Sequence, residues 1–360
     1  MKKIMKVFSL LVLLLVTAGL TFAGGKAETG KEPATQAPAK KFMASMATDV
    51  GGLGDKSFND GAYEGLKLAN QKDGIEIKVI ESKQQTDYVP NLTGLAEDGS
   101  NIVFAVGFLM ADAMVEAAKN NPNTYFAGID IELDPATAPK NAAGILYKEQ
   151  ESGYLAGVVA GLMTKKYASA SPKLNDKNVV GTVLGMLVPA VERYEVGFIQ
   201  GVKSVNPDCE VISVVTGTFT DQAKGKEAAI AMIEKGADII FPAAGLTGLG
   251  AINAAKEKGV LAIGVDVDQN NVAPDTVLTS AMKDLPTSVY LTIKSAMEGK
   301  FQGGTNIVLG INENSTGIAP FHSFDPIVPK EVKDAVEKAK ADIKAGKIKI
   351  LTTRAELGIK

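Results

Sequence analysis

The chain has 360 residues, with 38 basic and 41 acidic side chains for a formal net charge of −3, one cysteine and one histidine. Near-neutral charge without a basic cluster argues against nucleic acid as a partner. A lone Cys209 leaves no internal disulfide and a lone His322 leaves no His/Cys cluster with metal spacing, so the fold has to rest on its apolar core.

Lys2, Lys3 and Lys6 precede an apolar run over 7–18 and then small residues, the layout of a secretory signal whose apolar part is too short to span a bilayer. Thr21-Phe22-Ala23 fits a small-x-small cleavage site. Residues 1–23 are therefore expected to be a signal peptide cleaved near Ala23, with an exported, periplasmic or envelope-associated product. No cysteine stands near residue 24 to carry lipid. Residues 24–41, rich in Gly, Lys, Ala, Thr and Pro without an apolar period, read as a flexible tether.

After the tether, a strand over 42–47 passes through Gly51, Gly52 and Gly54 into a helix starting near Ser57. Strand, glycine turn and helix N-terminus form the usual ligand position of an α/β protein. Asp49 leaves the strand end, Asn59 donates and accepts at once, and Phe58 at the helix entrance offers a flat apolar face. Turn and cap roles for Asp49 and Asp55, with Phe58 as a core anchor, are the alternative.

Short β-branched runs then alternate with helical patterns. Strands are expected over 75–81, 102–106, 124–129 and 143–147, with helices over 88–98 and 110–120, giving a doubly wound parallel sheet. A helix over 151–163 and a polar loop over 167–177 close this unit. The rhythm restarts with strands over 179–184, 210–215, 238–241, 261–265 and 276–280 and helices over 192–204, 221–235 and 249–258. An amphipathic helix after Lys283 is expected to return to the first lobe, and the chain from Gly310 to cross back and end in a helix over 329–345. The expected fold class is thus α/β, two doubly wound parallel-sheet lobes joined by a hinge. The N-terminal lobe is placed at 42–148 and 285–312, the C-terminal lobe at 149–284 and 313–360, with three crossovers.

Ligand crevices in such sheets lie at the carboxyl ends of the strands. Asp49, Gly107-Phe108 and Asp130 stand there in the first lobe, and Phe219, Gly245, Asp266 and Lys283 in the second. Phe219 also suits the position before a helix capped by Asp221. Asp268, Lys224 and Lys226 read as solvated, and Phe198 as core. Catalysis finds little support. Gly-x-Ser-x-Gly is absent, Lys56-Ser57 lacks the preceding glycine of a phosphate loop, and Gly245-Leu-Thr-Gly248-Leu-Gly250 has the wrong order for a dinucleotide fingerprint. No enzyme activity and no cofactor are expected.

The motifs Asp49-x-Gly-Gly-x-Gly-Asp55-Lys-Ser-Phe58-Asn59, Tyr154-Leu-Ala-Gly157, Gly217-Thr-Phe219-Thr-Asp221, Gly264-Val-Asp266-x-Asp-Gln269 and Thr279-Ser-Ala-Met-Lys283 carry a resemblance. From about Phe42 to its end the chain resembles the basic membrane protein family of substrate-binding lipoproteins. That family includes the purine nucleoside receptor A proteins, of the type I periplasmic binding protein fold. Leu246, where the family usually has a second glycine, is a departure, as is the missing lipid-bearing cysteine. The resemblance implies a monomeric receptor that delivers a purine nucleoside, of the adenosine, guanosine or inosine class, to an ABC transporter permease. It implies that Phe58 stacks on one face of the base and Phe219 on the other, or else Phe241 or Phe198. Asp49 and Asn59 would read the base edge, and Asp266 would hold the ribose hydroxyls with Lys283 beside it. Asp130 and Gly245 belong to the same expected ligand set. A sugar or autoinducer receptor on the same fold is the alternative.

Overall fold

The computed structural model describes residues 41–359; the expected export signal and tether up to residue 40 lie outside the described residues. In chain order the elements are β1 (Met43–Thr48), α1 (Phe58–Asp73), β2 (Glu76–Glu81), α2 (Tyr88–Glu97), β3 (Ile102–Val106), α3 (Ala111–Asn120), β4 (Tyr125–Ile129), β5 (Ala142–Tyr147) and α4 (Glu149–Met163). There follow β6 (Val179–Leu184), α5 (Pro189–Val205), β7 (Glu210–Val215), α6 (Gln222–Glu234), β8 (Ala237–Ala243), α7 (Gly245–Lys258), β9 (Leu261–Asp266) and β10 (Val277–Lys283). The last are α8 (Leu285–Met297), β11 (Thr305–Leu309), β12 (Thr316–Ile318) and α9 (Lys330–Lys344).

These strands form two six-stranded sheets with the same order, β11-β5-β4-β3-β1-β2 and β12-β10-β9-β8-β6-β7. Sequence explains which strands lie inside. β3 (IVFAV) and β6 (VVGTVL) are unbroken small and apolar runs and are buried throughout, as strands covered by helices on both faces must be. The edge strand β2 (EIKVIE) alternates charge with apolar residues and is half exposed. Pairing is parallel except at β12, which runs antiparallel to β10. The second sheet thus departs from the all-parallel expectation at one edge, because the chain enters β12 directly from a crossover without a helix to reverse it.

The chain passes between the sheets at 148–149, 283–285 and 309–316, and the three passages are laced together. Lys148 N–H donates to Leu309 O (2.9 Å) and Asp284 N–H to Ser315 O (2.8 Å). The buried Glu151 carboxylate accepts from Ile311 N–H (2.6 Å) and Thr316 Oγ1 (2.8 Å). After the second passage α8 buries Leu285, Val289 and Ile293 in the core of the first sheet. α9 buries Val332, Val336 and Ile343 in that of the second.

Beyond its polar first turn α4 is apolar on all sides, and the helix is almost fully buried. It meets α5 nearly backbone to backbone through Gly153, Gly157 and Gly161 on one side and Gly197 and Gly201 on the other. A Cβ at Gly157 would stand 2.1 Å from Phe198 O, and one at Gly201 would stand 2.0 Å from Tyr154 O. A methyl group at either place forces the helices apart, and α5 carries Tyr194 into the site described below. Gly201→Ala should lower unfolding free energy by about 1–3 kcal/mol in a denaturant titration. A loss under about 0.5 kcal/mol, typical of surface changes, would contradict this packing.

Candidate functional site

The carboxyl ends of both sheets face one cleft, the usual position of a ligand site in open α/β sheets. Asp49, Phe58, Asn59 and Asp130 line it from the first lobe, and Phe219, Gly245, Asp266 and Lys283 from the second, so the structure brings these eight sequence-derived candidates together.

The glycine turn is built by two aspartates. Asp49 Oδ1 accepts the Gly51 N–H (2.9 Å). Asp55 accepts the N–H groups of Ser57 (3.0 Å), Asn59 (2.8 Å) and Asp60 (3.1 Å), and so satisfies the first turn of α1. The cap role considered for Asp55 is thus its structural role. Because Asp55 caps the helix, the Ser57 hydroxyl is free to cross the cleft and donate to Asp266 Oδ2 (2.6 Å). Burial pushes Asp49 and Asp55 up to about 6 in spite of these donors.

Asp130 and Asp266 sit at corresponding places in the two sheets, just beyond β4 and at the end of β9. Both have left-handed backbones, φ 60° and 66°, an uncommon conformation for residues with side chains and one that clusters at functional sites. Lys283, the last residue of β10, is buried between them. Its Nζ lies 2.6 Å from Asp130 Oδ2, 3.4 Å from Glu149 Oε1 and 3.6 Å from Asp266 Oδ1. Burial alone disfavours that charge, but the three carboxylates outweigh it and hold the proton more tightly than usual. The ammonium also stands 4.6 Å from the Phe58 ring centroid, a cation–π contact that covers one face of the ring. Arg193 Nε donates to the other Glu149 oxygen (2.6 Å).

Asp266 is more committed than the sequence suggested. Besides Ser57 and Lys283 it accepts from the Tyr194 hydroxyl (3.2 Å). Asp130 Oδ1 and Asn59 Oδ1, in contrast, are buried with no partner among the described residues. Buried acceptors are nearly always satisfied, so these two stand out among the groups that line the cleft.

Phe219 lines the cleft two residues before the Asp221 cap, whose side chain accepts the Lys224 N–H. The other aromatics considered for that place, Phe198 and Phe241, are fully buried and stack on each other at 5.0 Å. They belong to the core. Sequence reasoning missed Tyr194, Glu149, Arg193 and the hydroxyl of Ser57. Tyr194 was hidden because α5 was expected to start at 192, whereas Pro189 at its first turn starts it earlier and turns Ala190, Val191 and Tyr194 toward the cleft. α7 likewise begins at Gly245, four residues before its expected start, and so brings Gly245 and Leu246 to the cleft wall.

Among the described residues no helix is long and apolar enough to cross a membrane, and no group of His, Cys, Asp and Glu could hold a metal ion. Comparison with known proteins agrees with this architecture. Residues 42–352 match the family model described as ABC transporter substrate-binding protein PnrA-like. The chain is 34% identical over 86% of its length to the ABC transporter nucleoside-binding protein BmpA of Lactococcus lactis, covering 89% of that protein. It is 31% identical to a CD4+ T-cell-stimulating antigen of Listeria monocytogenes, over 97% of this chain and 99% of the other. A solved ABC transporter solute-binding protein from Aeropyrum pernix superposes with a TM-score of 0.78 at 27% identity, over 87% of this chain and 94% of that one. The chain therefore belongs to the PnrA-like (Bmp) family of ABC transporter substrate-binding proteins, which are receptors and not enzymes.

Proposed function

We propose that this receptor binds a purine nucleoside in the cleft between its lobes and delivers it to an ABC permease outside the cytoplasm. The observation that carries the reading is one cleft that combines aromatic rings from both lobes with two buried acceptors, Asn59 Oδ1 and Asp130 Oδ1, that have no partner among the described residues. Phe58 and Phe108 supply rings from the first lobe, Tyr194 and Phe219 from the second. A base is flat and apolar on its faces, and each face stacked on an aromatic ring gains roughly 1–3 kcal/mol. Its edge and the sugar carry the donors that the acceptors lack.

Asp49 and Asn59 lie together on the first lobe and take the base edge. The sugar hydroxyls fall to the Asp130, Asp266 and Lys283 cluster. With Asp266 already accepting from Ser57 and Tyr194, Asp130 Oδ1 is the better placed acceptor for a hydroxyl, which shifts the sugar contact partly to the first lobe. Two lobes that share one ligand close on it, and the laced passages at 148–149, 283–285 and 309–316 form the hinge. The relative from Lactococcus, named as nucleoside-binding, supports the ligand class. The basic and apolar start of the sequence, with the lipoprotein name of a relative from Pyrococcus abyssi, supports export.

Isothermal calorimetry with guanosine, inosine, adenosine and free ribose tests the reading. At least one nucleoside should bind and ribose alone should not, because ribose brings no base to the rings. Phe58→Ala should weaken nucleoside binding by about 1–3 kcal/mol without unfolding the protein. Binding of ribose but of no nucleoside would refute the assignment.

The protonation of Asp49 gives a second check. Its folded carboxyl titrates near about 6 against an ordinary 3.8, so folding takes up a proton between those values. The stability linked to this group is fully present below about pH 4 and is lost as pH rises through about 6, roughly 3 kcal/mol in all. Carboxyl-carbon NMR of the free protein should show Asp49 titrating near pH 6, and nucleoside should move that midpoint down, since ligand donors favour the carboxylate. A midpoint near 4 in the free protein would contradict the buried geometry.

A further inference from the structure

Which base the cleft takes is a question the hydrogen bonds around Asn59 address, on the footing of the nucleoside reading. The Asn59 amide nitrogen lies 3.2 Å from Asp49 Oδ1 and 3.4 Å from Asp55 Oδ2. Only the nitrogen end can face two carboxylates, because a carbonyl oxygen there would meet acceptors alone. Asp55 is itself fixed by three backbone N–H groups of the first turn of α1, so the amide is held from both sides. Its Oδ1 is left as the outward atom, buried and without a partner among the described residues.

Asp49 presents the same chemistry beside it. Its Oδ1 already accepts from Gly51 and Asn59, which leaves Oδ2 for a ligand. Gly107 keeps that oxygen open: its φ is 118°, and a Cβ there would stand 2.8 Å from Asp49 Oδ2. The edge of the cleft assigned to the base is therefore acceptor next to acceptor.

We propose that Asp49 and Asn59 form an acceptor pair that selects a base with two adjacent donors, a 2-amino-6-oxopurine nucleoside, over a 6-aminopurine nucleoside. Guanine offers N1–H and the 2-amino group side by side. Hypoxanthine keeps only N1–H. Adenine flanks its one amino group with the acceptors N1 and N7, so whichever of its edges is presented sets an acceptor against a buried oxygen. A site built to receive a donor rejects an analogue that lacks it, because its own polar group is then left unpaired.

Calorimetry at pH 8, where Asp49 is ionised, decides this with guanosine, inosine and adenosine against the wild type and Asp49→Asn. The wild type should bind in that order, guanosine at least about tenfold more tightly than adenosine. In Asp49→Asn the amide oxygen keeps the two donors now on Oδ1, so the new NH2 takes the place of Oδ2. The edge then reads donor next to acceptor, which suits the 6-amino edge of adenine as well as the O6 and N1–H edge of an oxopurine, so the guanosine-to-adenosine preference should narrow at least about tenfold. Adenosine binding the wild type as tightly as guanosine, or an unchanged preference in folded Asp49→Asn, would overturn the inference and leave the nucleoside reading standing. Failure of all three nucleosides to bind the wild type would remove that reading and this one with it. The wild-type order decides by itself should the variant fail to fold.

Discussion

The Lys283 ammonium, 2% exposed, faces three carboxylates drawn from separate parts of the chain: Asp130 after β4, Glu149 at the first passage between lobes, and Asp266 at the end of β9. Taking such a charge out of water costs several kcal/mol, and only well-placed opposite charges offset it. That requirement ties distant elements to one point. The first lobe must present Asp130, the hinge must present Glu149, and the second lobe must hold Lys283 and Asp266 on neighbouring strands. Arg193 supplies a second cation on the far side of Glu149, so the hinge carboxylate is gripped from both directions. The cleft, the passages between the sheets and the charged groups that line the cleft are in this sense one electrostatic unit.

Everything around that unit serves to aim it. Asp130 and Asp266 hold left-handed backbones at matching places in two sheets of equal order. An ordinary strand exit would point those carboxylates elsewhere, and the surrounding network stabilises the unusual conformation. The close α4–α5 packing does similar work on the other side, since Glu149 opens α4 while Arg193 and Tyr194 belong to α5. Glycines at the contact let the two helices approach until backbone meets backbone. Across the cleft, Ser57 on Asp266 and Gln269 Nε2 on Lys56 O (3.0 Å) join the glycine turn to the second lobe. The lobes therefore meet through polar groups at the mouth of the site while their apolar cores stay separate.

Much of this was legible in the amino-acid order, for a physical reason. Strand cores such as Ile102–Val106 and Val179–Leu184 are unbroken small and apolar runs with no other stable place than a covered sheet. Asp49, Asp130, Asp266 and Lys283 stand at the ends of other such strands, and in the structure they line the cleft. Less legible were residues whose role depends on a partner far away in sequence. Glu149, Arg193 and the Ser57 hydroxyl carry no local signal in the sequence, because their partners Lys283, Glu149 and Asp266 are brought to them only by the fold. Tyr194 was lost to a helix boundary, the weakest element of any reading from periodicity. Phe198 and Phe241 could be excluded as ligand contacts only once their burial was known, because a ring in a core and a ring in a cleft look alike in sequence.

On the proposed reading the cleft holds a nucleoside, with rings on the base and the acidic cluster on the sugar. Protein purified from cells that make it, then denatured and its released small molecules examined by mass spectrometry, tests that claim without prior choice of ligand. A purine nucleoside should appear in the released fraction. A free sugar or an amino acid released in its place, in stoichiometric amount, would contradict it.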